Sequence, residues 1–98
     1  MTIRVELRGR LIQRPELRIT PAGTAFLRCE VDCGDDAGEF VLSVVVSGER
    51  VRALAELAAG RRIRAVGALR PVRGRLRSRT IQQGIEIAAD EISLDTDG

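Results

Sequence analysis

The segment from Gly9 to Ala25, G-R-L-I-Q-R-P-E-L-R-I-T-P-A-G-T-A, leaves the chain few ways to fold. It begins inside a strand of strict alternation, in which Ile3, Val5, Leu7 and Leu11 point one way and Arg4, Glu6, Arg8 and Arg10 the other. Gly9 occupies the apolar row where a side chain would otherwise sit. A glycine at such a position marks a bulge or a tight bend, where backbone passes close to backbone. Pro15 then interrupts the ladder, because it has no N–H to donate. Thr20-Pro21-Ala22-Gly23 is a turn: Pro21 presets φ, and Gly23 can take the positive φ of a type II turn. A strand that bends at a glycine, stops at a proline and re-enters through T-P-A-G-T-A is a barrel-forming meander.

The remaining elements follow in order. Strand one covers residues 2–14. Strand two, 24–33, directs Leu27, Cys29, Val31 and Cys33 inward and Phe26, Arg28, Glu30 and Asp32 outward. An outward Phe beside an outward Arg is either a ligand platform or a ring covered by a loop or a neighbouring subunit. Gly34-Asp35-Asp36-Ala37-Gly38 is a hairpin connection. Strand three, 40–47, reads F-V-L-S-V-V-V-S, the nearly continuous apolar run of a central strand covered on both sides. Ser43 and Ser47 relieve one face, which is therefore the better candidate for a ligand. Residues 49–59 carry Val51, Leu54, Ala55 and Ala58 at helical spacing, with Gly60 as the stop. So short a helix is expected to plug the barrel.

Strand four, 61–70, points Ile63, Ala65, Gly67 and Leu69 in and Arg62, Arg64 and Arg70 out, and Gly67 repeats the bend at Gly9. Next comes a basic excursion, P-V-R-G-R-L-R-S-R, over 71–79. Arg73, Arg75, Arg77 and Arg79 alternate, so an extended hairpin is expected to carry all four on one side. Strand five, 80–94, contains I-E-I-A-A-D-E-I and closes the barrel; the last four residues are too few to form a separate element. No internal repeat or low-complexity tract is present.

A chain of 98 residues, 44% hydrophobic and 31% charged, is expected to form one domain, 1–98, around a single core. It has no apolar run of membrane-spanning length and no signal segment, so a cytoplasmic, nucleoid-associated location is expected, with no membrane partner. Cys29 and Cys33 lie four apart on one strand, about 13 Å, too far for a disulfide. With no His and no C-x-x-C, no metal is expected, and both thiols read as small buried hydrophobes. Charge is blocked along the chain. Residues 29–49 hold six acids and no Arg, 61–84 hold eight Arg and no acid, and the residues from 85 onward hold five acids and no Arg. The basic block is a candidate anion surface; the plain alternative is a solvated face balanced by acids that the fold brings near.

Five strands, a helix between the third and fourth, and glycine bends in strands one and four describe an all-β, five-stranded OB-fold barrel. G-R-L-I-Q-R-P-E-L-R-I-T-P-A-G-T-A, V-V-V-S-G-E at 44–49, G-R-R-I-R-A-V-G-A-L-R at 60–70 and I-E-I-A-A-D-E-I at 85–92 resemble the successive blocks of the bacterial single-stranded DNA-binding protein family. They cover almost the whole chain in the family's order. The chain departs from the family at its aromatic positions: Val41 stands at the Trp-like site, Ser47 at the Phe before the glycine, and Glu49 at the basic residue after it. It also lacks the family's long linker and acidic tip, so a short, tail-less form is expected, similar to the primosomal replication protein N (PriB) branch in length and in V-V-V-S-G, whereas P-E-L-R-I-T-P-A-G-T-A is nearer the main family.

The resemblance implies binding of single-stranded DNA, with RNA as a possible ligand, in replication, restart or repair. A homo-oligomer is implied, a dimer before a tetramer. OB-folds hold single strands with a basic groove and aromatic platforms. The residues expected at the interface are Arg10, Arg18, Phe26, Arg28, Phe40, Arg62, Arg64, Arg70, Arg73, Arg75, Arg77 and Arg79. With only two aromatics, affinity is expected to come mainly from phosphate contacts, with little sequence preference. The alternative is a primosome-type adaptor that docks on replication proteins such as a helicase through the Arg70–Arg79 hairpin. No enzyme is expected, because no His, no paired carboxylate in an apolar pocket and no nucleotide loop is present. No cofactor is expected.

Overall fold

The alternating segments form six strands and one short helix in the computed structural model, which describes residues 2–95. They are β1 (Ile3–Leu11), β2 (Glu16–Ile19), β3 (Ala25–Asp32), β4 (Val41–Ser47), α1 (Val51–Leu54), β5 (Arg62–Leu76) and β6 (Arg79–Leu94). The first residue and residues 96–98 of the expected domain and tail lie outside the described residues.

The strand order is β1-β5-β6-β4-β3-β2, and an additional β1–β3 pairing closes the sheet on itself. All pairings are antiparallel except β4–β6, where Val44 lies opposite Ile87. The end of β1 and the whole of β2 share one edge of β3, through Arg10↔Asp32 and Leu11↔Val31, then Glu16↔Arg28 to Ile19↔Ala25. Expected strand one therefore stops at Leu11, and a further strand, β2, appears beyond buried Pro15. Proline breaks the ladder, and the chain rejoins the same edge of β3 after it.

The β2–β3 turn is not type II. The Gly23 N–H donates to the Thr20 carbonyl at 2.8 Å and the Thr20 N–H to the Thr24 carbonyl at 2.9 Å. Gly23 has φ of +88°, whereas Ala22 is not among the positive-φ residues. This is a three-residue hairpin loop closed by a left-handed glycine. The helix is also shorter than the expected 49–59 and occupies only Val51–Leu54. The chain beyond it unwinds into turns, with Leu57 N–H donating to the Leu54 carbonyl. The Gly60 N–H donates to the Leu11 carbonyl, and the Leu11 N–H to the Arg61 carbonyl. Pairing with β1 thus captures the backbone that would have extended a helix too short to persist alone.

The core is the inward row of each strand: Leu7, Leu11, Leu27, Cys29, Val31, Val44, Val46, Ile63, Ala65, Ile87 and Ile92, with Val51 of α1 across one end. Burial, with Glu30 alongside, pushes the Cys29 thiol up to about 11, and burial raises the half-buried Cys33 thiol too. Both cysteines are free. A Cβ on Gly9 would strike the Asp32 carbonyl, and one on Gly67 the Ala88 carbonyl. At both points the wall bends so sharply that no side chain fits. Strand β6 carries a bulge beside the second bend: Val66 pairs with Glu91 and Gly67 with Ala89, leaving Asp90 unpaired. The extra residue turns outward to accept two bonds from the Arg4 guanidinium, at 2.7 and 3.0 Å, which hold the Asp90 carboxyl below its usual range. No described helix is long and apolar enough to cross a membrane.

Candidate nucleic-acid interface

Outward residues of β2, β3, β4, β6 and β5 form one continuous face, because directly paired residues share a side of the sheet. Phe26 lies opposite Arg18 on one flank and Ser47 on the other, Arg28 lies opposite Val45, and Arg70 lies opposite Glu86. A shallow cavity of about 350 Å3 opens over them, lined by Phe26, Val45, Arg28, Arg70 and Glu86. Thr20, Thr24 and Ser47 complete its rim. Phe26 is half-buried, with its ring on the outward side. Three of the expected residues, Phe26, Arg28 and Arg70, therefore line one cavity, and Arg18 is paired beside Phe26 on β2.

Each arginine there has an internal partner. Arg18 pairs with Glu16 at 2.7 Å and Arg70 with Glu86 at 2.8 Å. The Arg28 Nε donates to Glu30 at 3.1 Å and its Nη2 to Ser43 Oγ at 3.3 Å. Such partly exposed pairs are worth about 0–1 kcal/mol, so a phosphate can exchange for the carboxylate at little cost, but the site holds its cations already neutralised. They orient a ligand more than they attract it.

The basic excursion differs. Beyond the last β4–β6 pair, Ser43↔Glu86, and the last β1–β5 pair, Ile3↔Leu69, strands β5 and β6 run on alone as a two-stranded ribbon to Leu76↔Arg79. Its six pairs span about 20 Å. Arg73, Arg75, Arg77 and Arg79 make no ion pair or side-chain hydrogen bond among the described residues. Arg77 turns the tip with φ of +58°, a left-handed conformation that costs a non-glycine residue about 1–2 kcal/mol. The blocked charge is thus resolved both ways: acids balance Arg64 and Arg70 over the barrel, and the ribbon's arginines have no partner among the described residues.

The ribbon's register corrects the expectation that all four lie on one side. Arg73 lies opposite Gln82 and Arg75 opposite Thr80, whereas Arg79 lies opposite Leu76. Leu76 follows Arg75 directly, so Arg79 faces away from Arg73 and Arg75. The two-residue connection, Arg77-Ser78, shifts the parity that simple alternation assumed.

The remaining expected residues sit elsewhere. Arg10 and Arg62 are paired rungs beside the acidic β3–β4 connection, in a cavity of about 440 Å3 that also holds Asp35, Asp36 and Glu39. Arg64 donates to Glu6 at 2.9 Å, which lowers the Glu6 carboxyl below its usual range. Phe40 is exposed at the far end of the β3–β4 ladder, near Asp32↔Val41, whereas Phe26 lies at Phe26↔Ser47. Six residues of strand separate these rungs, about 20 Å, so the rings form no joint platform. The central strand is also less covered than its apolar run implied, since Val41 is exposed and Val45 half-buried beside the cavity. Thr20, Thr24 and Glu86 were not singled out from the sequence. Only the outward parity of Glu86 in I-E-I could have marked it.

Changing Phe26 to Ala is expected to weaken binding to an oligo-dT strand by about 1–3 kcal/mol, the usual range for one stacked base. Phe40→Ala is expected to leave it within about twofold, as befits a ring outside the groove. Titration by fluorescence anisotropy measures both. If Phe26→Ala unfolds the protein while its folded fraction binds normally, the ring belongs to the core.

A closed β-barrel with a short helix between its fourth and fifth strands and an open cationic face is an OB-fold, the class of barrel that binds oligonucleotides. Within that class, a family model described as another single-strand binding protein family matches residues 4–83, and the chain belongs to this family. Membership makes it a binding protein and not an enzyme. The crystal structure of wild-type single-stranded DNA binding protein from Thermus aquaticus superposes with a TM-score of 0.75 at 27% identity, over 97% of this chain and 41% of that one. A deletion mutant of the Thermus protein superposes with the same TM-score at 26% identity, over 97% of this chain and 42% of that one. This chain thus spans about two-fifths of the length of those proteins. No curated protein matches the sequence.

Proposed function

We propose that the protein binds single-stranded DNA, largely without sequence preference, across the outward face of β2, β3, β4 and β6 and along the β5–β6 ribbon. The observation that carries this is the pairing of a stacking floor, Phe26, ringed by already neutralised arginines, with a ribbon of four unmatched ones. In this reading the ribbon supplies phosphate attraction and the face supplies position. The Thermus protein carries single-stranded DNA binding in its name, which supports the same ligand here. Replication, restart and repair are the settings that expose such strands. Anisotropy titrations against dT and mixed-sequence strands of equal length test it: similar, strongly salt-dependent affinities are expected. Binding to neither strand at low salt would end the proposal.

We also propose a homodimer. The β1 edge facing away from β5 is paired with β3 only at Arg10 and Leu11, so from Ile3 to Leu7 it has no strand partner among the described residues. Two such edges can pair antiparallel across a two-fold axis. Light scattering at micromolar concentration is expected to report twice the chain mass of 10.7 kDa. A species of single-chain mass removes this part.

A further inference from the structure

We propose that the β5–β6 ribbon is a wedge for the junction between single- and double-stranded DNA, so that the protein prefers a tailed duplex to the tail alone. The inference rests on the single-strand reading for the tail and adds a second strand to it. Its origin is the parity shift at the ribbon tip. Arg73 and Arg75 face one side, Arg79 the other, and Arg77 stands at the turn between them. A single strand drawn straight along the ribbon offers one row of phosphates and meets one side only. Two strands that separate around the ribbon offer two rows, one to each side. Cations without a partner among the described residues, on both sides, are complementary to that geometry.

Leu76 supplies the second argument. It is the outermost apolar residue of the ribbon, 60% exposed, on the last pair before the turn. An aliphatic side chain is a poor platform for a splayed base, but such side chains wedge against base steps where a duplex is unstacked. The third argument is continuity. By register, Leu76 and Arg79 share the side of Arg70, and that side runs on through β6 and β4 to Phe26. One strand leaving the junction is thereby led into the Phe26 cavity, while Arg73 and Arg75 are left for its complement.

The test compares three probes by fluorescence anisotropy: a dT tail, the same tail on a duplex, and the blunt duplex. The wild-type chain is expected to bind the tailed duplex about five- to tenfold more tightly than the tail, as partial covering of one leucine allows. Leu76→Thr, which keeps strand preference and removes the aliphatic reach, is expected to abolish that gain without changing affinity for the tail. Leu76→Met is expected to keep the gain and so to separate apolar contact from folding; circular dichroism checks both variants. Arg73→Ser with Arg75→Ser is expected to lower affinity for the tailed duplex more than for the tail. Equal affinity of wild type for tail and tailed duplex overturns the proposal, as does a gain that survives Leu76→Thr. If the tail alone does not bind but the tailed duplex does, dependent on Leu76, the wedge stands and the single-strand reading falls.

Discussion

Replacing Arg73, Arg75, Arg77 and Arg79 together with Ser is expected to flatten the salt dependence of oligo-dT binding by about 1.5 to 3 in log K against log salt. Each phosphate contact on a single strand contributes about 0.7, so the lower figure corresponds to one side of the ribbon and the upper to both. Between about 50 and about 200 mM salt, roughly tenfold to fiftyfold of the wild-type loss of affinity should therefore disappear. The expectation follows from partnership, not from counting charge. Arg18, Arg28 and Arg70 already hold carboxylates, so binding a phosphate there releases fewer counterions. The ribbon arginines hold none among the described residues, and their ion atmosphere is what a strand displaces. Affinity should fall by a similar factor for dT and mixed-sequence strands, because phosphate contacts do not read bases. An unchanged slope across the salt series would show that the ribbon is not the grip. The adaptor role, with these arginines docking on an acidic protein, would then lead.

The second large effect is on stability. Gly67→Val is expected to cost about 3 kcal/mol or more, a large share of the roughly 5–15 kcal/mol available to a domain of this kind. A Cβ there meets the Ala88 carbonyl, with the Ala89 Cα at 2.7 Å, and neither is a side chain that can swing aside. Relief requires β6 to shift at its bulge, which would disturb the pairing of Val66 with Glu91 and of Ala65 with Ile92. Thermal unfolding followed by circular dichroism should show a midpoint lowered by about 12 °C or more. Gly84→Ala is the control. A Cβ there meets nothing within 4 Å and φ is not positive, so the midpoint should hold or rise slightly as the unfolded chain loses freedom. Equal midpoints for Gly67→Val and wild type would mean that the wall at Gly67 is looser than described.

Much of the fold was legible because its determinants are local and periodic. Alternation in Ile3-to-Leu11 and Ile63-to-Leu69 assigns inward and outward rows without reference to any partner. Gly9 and Gly67 interrupt those rows where no side chain fits, so the bends could be placed from sequence alone. The apolar row of β6 also changes parity, from Ile85 and Ile87 to Ile92 and Leu94, the residue-level trace of the bulge at Asp90. That signal was present in I-E-I-A-A-D-E-I, but it needs a partner strand to be distinguished from a strand end. Strand β2 was not legible: its four residues are all exposed, and what makes them a strand is the edge of β3.

For the interface, sequence alone determined the residue types and their sides: Phe26 and Arg28 outward on one strand, Arg70 outward on another, and a run of arginines between the last two strands. Tertiary structure decided which of them meet and which are free. Phe26 and Arg28 belong to one strand and Arg70 to another, and only the order β5-β6-β4-β3 brings them to one cavity. Phe40 has as good a residue type for stacking, yet its rung lies at the opposite end of the same ladder. The acids that neutralise Arg64 and Arg70, Glu6 and Glu86, lie 58 and 16 positions away along the chain, so no local charge count could assign them. Periodicity is a property of one strand and can be read from it. Proximity and charge balance are properties of pairs of strands, and they exist only once the barrel has closed.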